Sequence, residues 1–215
     1  QFDTRGNADI EALLGDFVRA EEEGFDTIWI GQVFDHDILT LFAMAGLRTS
    51  RIELGTSVVP LPTRHMTTLA QQALTTQLAS GGRLCLGVGC GHAAILEKKL
   101  GLESDAPVAR TREALEVLAP LLRGEYVKFA GDYLRMRVGT PIAGGNPPPL
   151  ILAALGPRMI ELAGERADGV TLVFAGAKFV RKHVRPQLPS DARIVASVPV
   201  ALTNHAAGIK DLINE

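Results

Sequence analysis

The feature that most constrains this chain is Leu84-Cys85-Leu86-Gly87-Val88-Gly89, six consecutive residues almost free of polar groups. A strand with one wet face alternates apolar and polar side chains, so an unbroken apolar run of this length is expected of a strand covered on both faces, as in a parallel sheet. The residues before it complete a βαβ unit. Ile52 and Leu54 lead into the β-branched run Thr56-Ser57-Val58-Val59. Pro60 and Pro62 are expected to stop that strand near Val59, because neither can donate to a ladder. From Met66, apolar residues recur at Leu69, Ala70, Ala73, Leu74 and Leu78, which is one face of a helix, and Gly81-Gly82 closes it.

The same alternation runs along the chain. Asp9 caps a helix with Ile10, Leu13, Leu14 and Phe17 on its apolar face and Gly24 as its stop. A strand over Asp26 to Gly31 follows, then a loop, then a helix capped by Asp37 and carrying Leu39, Phe42, Ala43, Ala45 and Gly46. Helices are expected over 93–100 and 107–122, and an antiparallel hairpin over about 125–140. Gly144 to Pro149 is too rich in breakers for regular structure. A strand near Ile151, a helix with Pro157 in its first turn, a strand near Val170, a helix from about Lys178 and a strand over Arg193 to Val200 continue the pattern. The last helix is expected from about Ala206, and His183 and His205 fall on solvated helices.

Strand–helix alternation of this kind fits an open doubly wound sheet or a closed (β/α)8 barrel, within a single domain over 1–215. With 47% hydrophobic residues the chain can bury a full core. A net charge of −2 with interspersed signs leaves no basic stripe for nucleic acid. No apolar run approaches the roughly 20 residues that span a bilayer, and no secretory leader pattern opens the chain, so a cytoplasmic location is expected. The two cysteines, Cys85 and Cys90, allow neither a disulfide framework nor metal-ligand spacing, and Cys85 reads as a small core residue. His36 between Asp35 and Asp37 is no better, since three adjacent residues rarely converge on one ion, and no metal is assigned. Gly87, Gly89 and Gly91 lack the spacing of a dinucleotide-binding GxGxxG loop.

Between Arg51 and His92 the order R-I-x-L-G-T-x-V, then R-H, then a helix ending in S-G-G-R, then L-G-V-G-x-G resembles the luciferase-like family of flavin- and deazaflavin-dependent oxidoreductases. The resemblance extends from Ala20 to Gly169. It implies a (β/α)8 TIM barrel of the bacterial luciferase-like type, of which only six core strands are visible. The first and last are the ones missing. A fragment, a chain with segments absent from it and a natural short form all remain open. The resemblance also implies coenzyme F420 as cofactor, hydride transfer to or from a small organic substrate, and a homodimer. An FMN-dependent monooxygenase on the same barrel is the alternative enzyme, and a non-catalytic flavin-binding relative is the alternative outside enzymes.

In such a barrel the ligand lies at the carboxyl ends of the strands. The resemblance places Ser57-Val58 where the family often has a non-proline cis peptide behind the flavin ring. It places His92 near the reacting edge, where an imidazole can donate to a substrate oxygen or accept a proton; the competing reading is a helix cap. Gly89 and Gly91 let backbone approach a flat ligand. Ala154, Leu155, Gly156 and Pro157 open a helix whose first amides suit the cofactor phosphate. Ala175 and Gly176 form the matching turn after the next strand, and Lys178 stands where relatives carry a cationic anion contact. After Trp29, where many relatives have an acidic residue and a histidine, this chain has Gly31-Gln32-Val33-Phe34, so that histidine's role does not transfer.

Overall fold

The computed structural model describes residues 9–140, 142, 146–198 and 200. Helix α1 (Ile10–Glu22) starts at Asp9, whose side chain accepts from the Ala12 amide at 3.0 Å, and ends ahead of Gly24 in the left-handed region. It leads into β1 (Thr27–Ile30) and α2 (Ile38–Arg48), which Asp37 caps through the Thr40 amide at 3.0 Å. Strand β2 (Glu53–Thr56), β3 (Val59–Pro60), α3 (Met66–Ala79) and β4 (Leu84–Gly89) form the expected βαβ unit, with β4 buried at every residue.

The strand does end at Pro60, within one residue of the expectation, but it is interrupted: β2 stops at Thr56, the chain passes a cis Ser57-Val58 bond, and pairing resumes as β3, with Pro60 opposite Gly89 of β4. A proline can occupy the last position of a strand because it still offers its carbonyl. The helices expected over 93–100 and from Lys178 are each one short α turn that widens into a π turn: α4 (Ala93–Ile95) into Leu96–Leu100, and α7 (Ala177–Phe179) into Val180–Val184. Apolar spacing of three and four residues cannot distinguish these two windings over so few residues.

Between them lie α5 (Pro107–Leu122), the antiparallel hairpin β5 (Tyr126–Ala130) and β6 (Arg135–Gly139), then β7 (Leu150–Ala153), α6 (Pro157–Arg166) and β8 (Gly169–Val173). Strand β9 (Arg193–Ser197) completes the sheet. The helix expected from Ala206, with His205, lies outside the described residues, as do Gly144 and Gly145.

The main sheet has the order β1-β2-β4-β7-β8-β9, parallel throughout, with β3 beside β4. It is strongly curled. In a flat sheet β2 and β9 would stand about 19 Å apart, four strand spacings. Instead Arg193 on β9 reaches Glu53 on β2, Nη1 to Oε2, at 2.8 Å. The described sheet is therefore a partial (β/α)8 barrel with β1 and β9 as its edges. Helices pack its outer face with Phe17, Phe42, Leu69, Leu118 and Leu162 fully buried, Phe17 edge-on to Phe42 with ring centroids 5.9 Å apart. The inner face carries Trp29, whose indole would lie 2.4 Å from a Cβ at Gly55, and Arg193 sits over that indole at 5.2 Å. Cys85 is buried beside Arg193, and that burial pushes its thiol up to about 12, which keeps it an inert core group.

The amino-terminal end of β2 is tied by one carboxylate. Glu21 accepts from the amides of Ser50 at 3.1 Å, Arg51 at 2.7 Å and Ile52 at 2.7 Å. The Ile52 amide foremost, with desolvation opposing, holds the Glu21 carboxyl down at about 2. A folded-state pKa below the unfolded one stabilises above the unfolded value, about 4.3, and is lost as pH falls toward about 2. Glu21→Gln should therefore be less stable than the wild type at pH 7, with the gap narrowing at pH 3. Urea unfolding at both values checks this, and an equal gap would contradict it.

Candidate active site

At the carboxyl ends of the strands, β2 is tied to β4 by a reciprocal pair. Thr56 Oγ1 donates to the Gly87 carbonyl at 2.7 Å and accepts from the Gly87 amide at 2.8 Å. This close approach requires glycine, since a Cβ at Gly87 would lie 1.8 Å from the Thr56 carbonyl oxygen. The next residues are held from β1: the Ser57 amide donates to the Ile30 carbonyl at 2.8 Å, and the Gln32 amide to the Val58 carbonyl at 3.2 Å. Ser57 Oγ then lies 3.1 Å from Thr171 Oγ1 on β8, across the hollow of the sheet.

Of the residues singled out in the sequence, Ser57, Val58, Gly89 and Ala154 converge. A Cβ at Gly89 would be 2.9 Å from Val58 Cγ2, so the missing side chain makes room for the Ser57-Val58 step. The Ala154 amide donates to the Thr171 carbonyl at 3.2 Å. The others follow the strands at the same end of the sheet. Gly91, with φ +76, turns the β4 loop against Leu96. His92 is exposed just after it. Its carbonyl accepts from the Ile95 and Leu96 amides, both at 2.9 Å, but its side chain makes no capping bond, so the helix-cap reading has no support in the geometry. Leu155 is exposed beyond β7. Gly156 opens α6 without a side-chain cap, Pro157 occupies the first turn, and a Cβ at Gly156 would meet no atom within 4 Å. Ala175 is buried, Gly176 faces open space, and Lys178 is exposed on α7.

Sequence reasoning gives no site role to Thr171 or Phe174, and it notes Gln32 and Arg64 without showing that they meet. Thr171 is a buried hydroxyl in an apolar strand, and its position opposite Ala153 is a register fact. Gln32 and Arg64 form a network: Arg64 Nη2 donates to Gln32 Oε1 at 2.8 Å and Nε to Gln72 Oε1 at 3.0 Å, and the guanidinium also pairs with Asp37. Gln32 thus locks the β1 loop to the Val58 carbonyl. Phe174, which ends β8, is 74% exposed with φ +56, an uncommon conformation for a bulky residue. Of two larger clefts, one of 840 Å³ lies at the opposite end, beside Pro147 to Leu150 and Asp168. The other, of 410 Å³, adjoins the β4 loop at Cys90. Among the described residues no strand joins β1 to β9.

The profile of the luciferase-like monooxygenase family matches residues 2–214, nearly the whole sequence. The chain belongs to that family. It is 32% identical over 154 residues to the 5,10-methylenetetrahydromethanopterin reductase of Methanolobus tindarius, covering 71% of this chain and 47% of that protein. It is 37% identical over 166 residues to the F420-dependent glucose-6-phosphate dehydrogenase of Nakamurella multipartita, covering 71% of this chain and 49% of that one. The chain thus spans about half the length of these relatives. Among solved structures, an F420-dependent secondary alcohol dehydrogenase in complex with an F420-acetone adduct superposes with a TM-score of 0.77 at 23% identity, over 87% of this chain and 64% of that one. At that identity the likeness concerns the fold, and it agrees with the partial barrel described above. Within a luciferase-like barrel the convergence of Ser57, Gly89 and Thr171 stands at the end of the sheet where α/β barrels bind ligands.

Proposed function

We propose that this chain belongs to a coenzyme F420-dependent oxidoreductase that moves hydride between the deazaflavin and a small organic substrate, and that it holds the cofactor. The observation that carries the reading is the uncapped start of α6 beside the hollow. Gly156 leaves open space there, and the first-turn amides receive no side-chain bond, so they suit a phosphate. The relatives whose names specify F420 support the choice of cofactor.

The residues present fit such a group. Ser57-Val58 and Gly89 provide a flat backbone floor, Ala154 to Pro157 and Ala175-Gly176 provide the two turns after β7 and β8, and Lys178 supplies a cation at the same end. When bound, the deazaflavin is a two-electron hydride carrier. The chain's contribution is position and proton control. The Thr56–Gly87 pair and the Ser57–Thr171 contact hold the floor rigid, and the Gln32–Arg64 link holds the loop that caps Val58. His92 can hold or release a proton where the substrate oxygen would lie. Titration of the purified protein with F420 and with FMN, each followed by fluorescence, should show micromolar binding of F420 and none of FMN at that concentration. Micromolar binding of FMN with no response to F420 would replace the reading by the FMN-dependent monooxygenase.

A homodimer belongs to the same proposal. The small-residue face of α2 is used inside the chain, since a Cβ at Gly46 would lie 2.7 Å from Ser80 Cα. The exposed apolar residues on these helices are instead Leu47 on α2, at 75%, and Leu78 on α3, at 45%. Sedimentation at low micromolar concentration should show a dimer that Leu47→Glu with Leu78→Glu weakens at least about tenfold, the scale of one lost apolar contact pair. A monomer at every concentration refutes it.

A further inference from the structure

The 410 Å³ cleft beside the β4 loop has a composition that specifies its ligand. Its volume is within the range of small-molecule sites, about 300–1,000 Å³. It lies between the start of α3, the π turn after α4, the start of α5 and the hairpin turn. These elements flank β4 in the middle of the sheet, away from both open edges, and every lining residue is described.

Its walls are apolar: Leu61, Met66, Leu96, Leu102, Ala114 and Leu134. The cations that reach it are both engaged, and the two carboxylates at its rim, Glu103 and Asp105, are mostly exposed and share one arginine. Arg64, whose side chain is only 11% exposed, is engaged by Asp37, Gln32 and Gln72. Arg110 pairs with Glu103 at 2.6 Å and Asp105 at 2.7 Å and stacks on Tyr133 with its guanidinium carbon 4.4 Å from the ring centroid. His65 is turned to Thr67, Nδ1 to Oγ1 at 2.7 Å. Burial raises the Cys90 thiol, so it stays neutral. An anionic ligand would have to give up hydration without gaining a free cation, and the carboxylates at the rim would repel it, whereas a neutral apolar one loses nothing of the kind.

We infer that this cleft seats the apolar, uncharged body of the substrate, a molecule of about two fused rings or the equivalent aliphatic bulk, with its reactive end directed past Cys90 toward Gly89 and His92. The assignment as substrate rests on the hydride-transfer reading; the ligand chemistry rests on the cleft alone. It separates this chain from relatives named for a phosphorylated sugar.

The test uses 2-naphthol and 2-naphthoate at pH 7, where the first is neutral and the second anionic, each followed by its own fluorescence. Saturable one-to-one binding of 2-naphthol at least tenfold tighter than 2-naphthoate is expected. Leu102→Trp, which fills the cleft from its half-buried outer wall, should weaken 2-naphthol at least tenfold while leaving F420 titration unchanged. Should that variant not fold in a thermal melt, the preference between the two wild-type ligands decides the matter. No saturable 2-naphthol binding, equal affinity for the two probes, or undiminished binding by a folded Leu102→Trp overturns the inference. Failure of F420 to bind is read in a separate signal: it would remove the hydride-transfer reading and leave the ligand preference of the cleft as measured.

Discussion

Replacing His92 by alanine is expected to lower turnover about a hundredfold or more while F420 affinity stays within a few fold, the usual scale for loss of a general acid or base. The side chain is exposed at the end of the β4 loop and makes no capping bond, so its removal should cost the fold little. On the proposed general acid or base role, the pH profile of turnover should lose one limb in the variant. A steady-state assay beside a thermal melt separates the two roles. Intact turnover with a lowered melting temperature would make His92 structural and leave hydride transfer to the cofactor and its orientation.

Gly87→Ala is expected to be the most damaging single methyl group in the site. The added Cβ would start 1.8 Å from the Thr56 carbonyl oxygen, which is backbone and cannot rotate away. Relief requires β2 and β4 to separate, and that breaks the two bonds between Thr56 Oγ1 and Gly87. Overpacking in a close-packed interior costs typically 1–3 kcal/mol, and two lost hydrogen bonds add about 1 kcal/mol each. A loss of about 3 kcal/mol lowers the melting temperature by roughly 6–12 °C for a chain of this size. F420 affinity should fall with it, since Ser57-Val58 directly follows Thr56. Gly156→Ala is the control, with no atom within 4 Å of its Cβ, and should melt like the wild type. A Gly87→Ala melt within 2 °C of wild type, a loss below about 1 kcal/mol on the same scale, would contradict the geometry.

The residues of α6 illustrate what the site required beyond its motif. Pro157 at a helix start is readable from the sequence because its fixed φ suits a first turn, and Gly156 before it marks the βα loop. That this start has open space around Gly156 and no side-chain cap depends on where β7 sits between β4 and β8. His92 was likewise placed at a strand end by its neighbours in sequence, whereas the absence of a capping bond is a fact of side-chain direction.

What the sequence determined by itself is the set of elements and their class. The unbroken apolar run of β4, the three- and four-residue spacing of α3, and the caps at Asp9 and Asp37 are local signals, each set by interactions within about one or two turns or one strand length. The family string added the barrel and the strand ends at which to look. What only the tertiary structure decided is everything that depends on curvature and register. The sheet's curl brings Arg193 to Glu53 over 140 residues of chain and Ser57 to Thr171 over 114, and it turns Gln32 and Arg64 into one network. The π turns after α4 and α7 are equally invisible to residue type, whereas the cis Ser57-Val58 bond stands where the family string had marked it. The physical reason is that period-two and period-3.6 patterns say which side chains face inward, while the partners they meet there follow from how far the sheet bends before its strands are exhausted.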